Sequence, residues 1–122
     1  MSGATSWNSE LPSGRNPFWI KDEALAGLGL HAGDAVSVDT RAEPAAGDLV
    51  LVEVETDELA DRLVRRLELD QGTGSTRFSA PNGDYPDLLL ASDQFIVLGV
   101  VRGRVRFETA DEDSVRVIEE AL

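Results

Sequence analysis

Apolar residues in this chain come in short β-branched or aromatic bursts: Phe18-Trp19-Ile20, Ala35-Val36-Ser37-Val38, Leu49 to Val54, Phe95 to Val101, and Val105-Arg106-Phe107. Between them stand Gly33-Asp34, Gly47-Asp48 and Asn82-Gly83-Asp84, residue types that accept positive φ or cap a turn with a side-chain oxygen. Short runs of this composition, joined by hairpin-length connections, predict a mainly β domain. Two segments depart from the pattern. Leu59, Leu63, Val64 and Leu67 recur at helical spacing, although Leu59, Leu63, Leu67 and Leu69 also share one side of a strand; periodicity alone predicts a helix over 59–69. At the carboxyl end Thr109-Ala110-Asp111-Glu112 resembles a capping box, and Val115, Ile118 and Leu122 follow at helical intervals, which predicts a short terminal helix. The first sixteen residues are rich in Ser, Gly, Asn and Pro, with Trp7 and Leu11 as apolar anchors, and predict a flexible arm. The expected organisation is an arm over 1–16, a β domain over 17–108 and a helical extension over 109–122.

A length of 122 residues supports one core rather than two. Charge narrows the function classes further. Eleven basic residues face 23 acidic ones, for a net charge of -12, so the mean surface potential repels phosphate backbones and anionic lipid. Direct nucleic-acid or membrane binding is therefore not expected. With no Cys and His31 as the one His, neither a disulfide, a thiolate site nor a zinc or copper ligand set is expected, and no cofactor is called for. No apolar run reaches the ~20 residues of a bilayer span, and the amino terminus has no basic stretch leading into an apolar one, so the expected location is cytoplasmic. All basic residues but Lys21 are Arg; high-salt adaptation and a GC-rich genome both account for that composition.

Read in order, four segments resemble the carboxyl-terminal domain of the LexA and UmuD family of self-cleaving Ser-Lys peptidases. Gly29-Leu30-His31-Ala32-Gly33-Asp34, leading into Ala35-Val36-Ser37-Val38-Asp39, is similar to the family's Gly-Ile-x-Asp-Gly-Asp and the strand after it. Gly47-Asp48-Leu49-Val50-Leu51-Val52 resembles its Gly-Asp-Ile-Val strand. Pro81-Asn82-Gly83-Asp84-Tyr85 resembles its Pro-x-Asn-x-x-Tyr turn, shifted around the proline, and Leu98-Gly99-Val100-Val101-Arg102 its closing strand. The resemblance runs from about Phe18 to Arg106 and implies a curved, barrel-like β fold.

It also implies a vacant active site. In an active member the nucleophilic Ser stands ten residues before the Asp of the Gly-Asp pair; here that position is Ala24. The matching stretch for the family's Val-Lys-Arg-Leu is Ala60-Asp61-Arg62-Leu63, so Asp61 stands where the basic Lys is expected. A Ser hydroxyl attacks only when a neighbouring base takes its proton, and a Lys serves when a water-poor setting keeps it neutral. The Ala24 side chain has no oxygen to attack with, and a buried Asp61 would need a cation such as Arg62 or Arg65. Lys21 reads as a solvated surface residue. The family's hinge bond, commonly Ala-Gly, occurs here only at Ala26-Gly27, Ala32-Gly33 and Ala46-Gly47, within the expected fold. The sixteen polar residues before Pro17 are too few for the three helices of a helix-turn-helix domain, so the expected layout is similar to that of processed UmuD.

Several residues carry a second reading. Asp22, Glu23 and Asp61 offer hard oxygens to a cation, though solvated charges are the plainer expectation. Trp7 is expected to contact a partner, Trp19 to lie in the core, and His31 to sit exposed in a turn. Arg102, Arg104 and Arg106 alternate along the closing strand and suggest ion pairs or a dimer contact. The resemblance implies a homodimer through Leu98 to Arg106, with Leu98, Val100, Arg102, Arg104 and Trp7 as contacts. The expected function is an inactive dimerisation or protein-binding module that takes an unknown protein or extended peptide in a DNA-damage (SOS) or stress response. The alternatives are an accessory subunit of a lesion-bypass polymerase, a peptidase with a relocated nucleophile such as Ser37 or Ser92, and a structural partner in a toxin-antitoxin or phage system.

Overall fold

The computed structural model describes all residues except 1–5, 10, 13, 70–74 and 113, with backbone only at 6–9 and 110. Nine strands follow one another: β1 (Ser6–Ser9), β2 (Arg15–Trp19), β3 (Ala35–Asp39), β4 (Leu49–Glu55), β5 (Ala60–Leu69), β6 (Thr76–Ser79), β7 (Leu88–Leu90), β8 (Phe95–Asp111) and β9 (Ser114–Ala121). A 3-10 turn, Ala26–Leu28, separates β2 from β3. The mainly β expectation is met. The strands form one sheet in the order β1-β9-β8-β4-β5-β6-β7, with β3 pairing both β2 and β8; it is not closed into a barrel, against the barrel-like expectation.

Long β8 is the axis. Its first part pairs with β4 and its middle with β3, both antiparallel, so that Val100 lies between Val50 and Asp39. At Gly99 a Cβ would meet Val38 Cγ1 at 2.5 Å and the Asp39 carbonyl at 2.8 Å. The glycine is needed for this close approach.

Both helical expectations are overturned. Residues 60–69 are β5, paired with β4 from Leu49↔Arg66 to Glu55↔Ala60. A spacing of four fits both a helix and two strand repeats, and the arbiter is that both faces of this strand are covered. Leu63 and Leu67 join one cluster with Phe78, Val50, Val52, Val54, Leu90 and Val100, whereas Val64 joins the other with Val36, Val38, Leu51, Val101, Ile20, Leu25 and Leu30. The carboxyl segment is β9, an antiparallel partner of β8 from Gly103↔Ala121 to Asp111↔Ser114. The apparent capping box lies at the β8–β9 turn. Val117, with Val105 and Ala35, makes a third small cluster against which Leu11 packs. The segment expected to be an arm contributes β1, parallel to β9, and the first two residues of β2.

The two Gly-Asp turns share one design. Gly33 and Gly47 have φ of 96° and 93°, and each following Asp accepts the amide three residues before it: His31 N–H to Asp34 Oδ2 and Ala45 N–H to Asp48 Oδ2, both 2.9 Å. Each Gly amide then donates to a neighbouring strand or strand end, Gly33 to Ile20 O and Gly47 to Leu67 O. The dipeptide therefore both reverses the chain and pins it.

Candidate functional site

Residues 21–25 leave β2 and pass over β5 as a turn held from three sides. From the 81–85 loop, the Asn82 amide donates to Ala24 O at 2.9 Å and Asn82 Nδ2 donates to Glu23 O at 3.0 Å. Tyr85 Oη accepts the Glu23 amide at 3.0 Å. Asn82 Oδ1 keeps its own loop closed by accepting the Asp84 amide at 3.0 Å. Within the turn, Asp22 Oδ1 accepts the Ala24 amide at 3.1 Å. Ala24 and Leu25 are both fully buried, so the turn is fixed by its apolar foot as well as by its polar rim.

From β5 two side chains reach this turn. Asp61 is ion-paired with Lys21, and its carboxyl is held below the usual range, first by the Lys21 ammonium and then by the Arg62 amide. Arg65 is 6% exposed. It gives Nη2 to Asp22 Oδ2 at 3.2 Å and Nη1 to Val64 O at 2.9 Å, with its guanidinium carbon 5.4 Å from the Tyr85 ring centroid. Its Nε is buried and has no hydrogen-bond acceptor among the described residues. Beside the turn, Lys21, Glu53, Val54, Glu55, Ala60, Asp61 and Arg62 line an open groove of about 440 Å³.

The structure redistributes the expected site. Asp61 is met by Lys21, the residue read as solvated, while Arg65 takes Asp22 and Arg62 takes Glu53 at 3.1 Å. Asp22, Glu23 and Asp61 do not gather around a common point. Glu23 turns instead to the Ala32 amide at 2.6 Å and to His31 Nδ1 at 2.8 Å. That amide first, then the imidazole, holds the Glu23 carboxyl below its usual range. His31 is exposed in its turn as expected. Trp19 is not core: it is 51% exposed and stacks on Phe107 at 5.9 Å between centroids.

Of the expected contact residues, Val100 is a buried core side chain and Leu98 packs against the core cluster. Val100 therefore offers no surface to a partner while the sheet is intact. Arg102 pairs with Asp39 at 3.7 Å, Arg104 with Asp34 at 3.1 Å, and Arg106 with Glu108 and Glu120. The Trp7 side chain lies outside the described residues. Ser37, one candidate nucleophile, is wholly buried and donates to Glu119 Oε1 at 2.6 Å.

Reading the sequence alone missed the Lys21–Asp61 and Asp22–Arg65 pairs because each joins residues about forty positions apart. The available signal was two successive residues of opposite sign, Lys21-Asp22, against Asp61 and Arg65, which stand four apart on one side of a strand.

The chain matches the peptidase S24-like family over residues 5–102, most of its length, and belongs to that family, the one of LexA and UmuD. No curated protein matches it. The matched region ends inside β8, so the rest of β8 and β9 lie beyond it. Among the described residues no helix is long and apolar enough to cross a membrane.

Proposed function

We propose that this chain is a catalytically inactive S24-like domain that works as a dimerisation or protein-binding module, with the groove beside the 21–25 turn receiving an extended polypeptide. The observation that carries the reading is the state of the turn. The position that the resemblance assigns to the nucleophile is Ala24, buried, with its amide engaged by Asp22. The position that the resemblance assigns to the base is Asp61, ion-paired with Lys21. Nothing there can attack a carbonyl, whereas the groove and the three-sided support of the turn are intact. Extended-peptide recognition draws on groove shape and strand edges and needs no nucleophile.

A relocated nucleophile fits the geometry poorly. Ser37 is sealed from solvent, and Ser92 is exposed with no hydrogen-bonded base among the described residues. Family membership favours a cytoplasmic role in a DNA-damage or stress response, the accessory-subunit role at a lesion-bypass polymerase being one form of it.

Two measurements on the full chain test the binding reading. Sedimentation equilibrium is expected to show a dimer at micromolar concentration. A library of extended peptides is expected to yield binders that are lost with Asp61→Arg, which reverses the charge on the groove wall. A strict monomer that retains no peptide would refute it.

A further inference from the structure

The contacts of Asp22 describe a receptor for a carboxylate. One oxygen takes the Ala24 amide at 3.1 Å and the other takes Arg65 Nη2 at 3.2 Å. The first contact, local to the turn, is of a kind many Asp residues make. The second is not local, because Arg65 comes from β5 and is 6% exposed.

Burying a guanidinium is costly unless its donors are matched, yet Nε is left without an acceptor. Nε and Nη2 are the two donors of the side-on fork with which Arg grips a carboxylate bidentately. Asp22 fills only half of that fork because its other oxygen is held by the Ala24 amide. The Asp22 side chain is 28% exposed while that of Arg65 is 7%. The cation is thus walled in, with Tyr85 against it, and the anion that covers it faces the solvent.

We propose that Asp22 is an internal stand-in, and that the Ala24 amide and the Arg65 fork form a binding site for the carboxylate of an extended peptide, which displaces Asp22. The shared chemistry is a carboxylate, supplied either by a peptide's carboxyl terminus or by an Asp or Glu side chain. This inference rests on the groove taking a polypeptide, and it names the chemical group that the polypeptide must present. The incoming carboxylate, free of the tether that ties Asp22 to the turn, engages Nε and Nη2 together.

The experiment uses the full chain and sodium formate as the probe. Asp22→Ala empties the receptor, so its melting temperature is expected to rise saturably with formate beyond the rise in sodium chloride of equal ionic strength. Wild type is expected to show no such excess. Adding Arg65→Met to Asp22→Ala is expected to abolish it. Should Asp22→Ala fold poorly, Asp22→Asn keeps the shape and removes the charge, and the peptide measurement is made on it.

Peptides selected on the wild type are then compared as free acid against amide, and with internal Glu against Gln. One of the two changes is expected to weaken binding, which identifies the source of the carboxylate. The Asp22 variant is expected to bind the acid form about tenfold more tightly than wild type, because no internal competitor has to leave. Formate that acts no differently from chloride, a formate effect that survives Arg65→Met, or binding indifferent to both peptide changes would overturn the proposal. Formate rescue without any peptide binding would instead refute the polypeptide reading of the groove and leave the carboxylate receptor standing.

Discussion

Replacing Asn82 with Ala removes the side-chain bolt between the 81–85 loop and the turn that carries Ala24. Two hydrogen bonds go: Nδ2 to Glu23 O and Oδ1 from the Asp84 amide, both 3.0 Å. The backbone bond from the Asn82 amide to Ala24 O, 2.9 Å, remains. Asp84 is exposed, so water replaces its lost acceptor at little cost, whereas the Glu23 carbonyl is part-buried and loses most of a net hydrogen bond. At about 0.5–1.5 kcal/mol for one such bond, Asn82→Ala is expected to destabilise by about 1 kcal/mol. With a urea slope of ~2 kcal/mol/M the midpoint falls by ~0.5 M at unchanged slope. Hydrogen exchange localises the effect: the amides of Glu23 and of residue 82 itself lose protection, while those of β6 and β7 keep theirs. Asn82→Asp retains the acceptor for Asp84 but sets an anion against the Glu23 carbonyl, and is expected to be no more stable than the Ala variant. An Asn82→Ala protein with an unchanged midpoint and unchanged protection at Glu23 would refute the assignment of Asn82 as the support of this turn.

Three further outcomes follow from the same geometry. Glu119→Ala leaves the fully buried Ser37 hydroxyl and Arg15 without their shared carboxylate. It is expected to cost about 2–4 kcal/mol, part of which returns when Ser37→Ala is added, as measured by a double-mutant cycle in urea. Phe78→Ala removes a wholly buried ring that meets Phe95 edge-on at 5.0 Å, with an expected loss of about 3–5 kcal/mol in the same assay. Asp61 and Glu23 have carboxyls lowered by folding, so their contribution is present above their unfolded values of about 3.9 and 4.3 and is lost as pH falls through the lower folded values. Denaturation midpoints are therefore expected to drop over that acidic window, less steeply in Asp61→Asn and in high salt; an acid limb unchanged by Asp61→Asn would contradict the Lys21 pairing.

The turns and the central strands were legible in the sequence because their chemistry is local. Gly33-Asp34 and Gly47-Asp48 announce a positive φ followed by a capping carboxylate, and Leu49 to Val54 is too short and too β-branched to be anything but a strand. Strand β5 was misread since leucines four apart satisfy two periods at once, and only the neighbours β4 and β6 decide between them. For β9 the decisive partner is β8, whose pairing consumes Val115, Val117 and Glu119 as one strand face. Trp19 reads as core because its flanks are apolar, yet it lies half-exposed at the rim of the small Ala35 cluster, stacked on Phe107. At the site, the resemblance pointed to Ala24 and Asp61, and the ion pairs that occupy the turn depend on distant contacts that no local pattern records.

The central claim, that the scaffold of a serine peptidase persists here without its reaction, is tested most directly by the intact mass of the purified full chain. The chain is held for hours at alkaline pH, where a Lys-activated serine works best, with and without a fluorophosphonate. One unmodified mass is expected in both arms. A serine carrying the phosphonate, or a pair of fragments whose masses sum to the chain plus water, would contradict it.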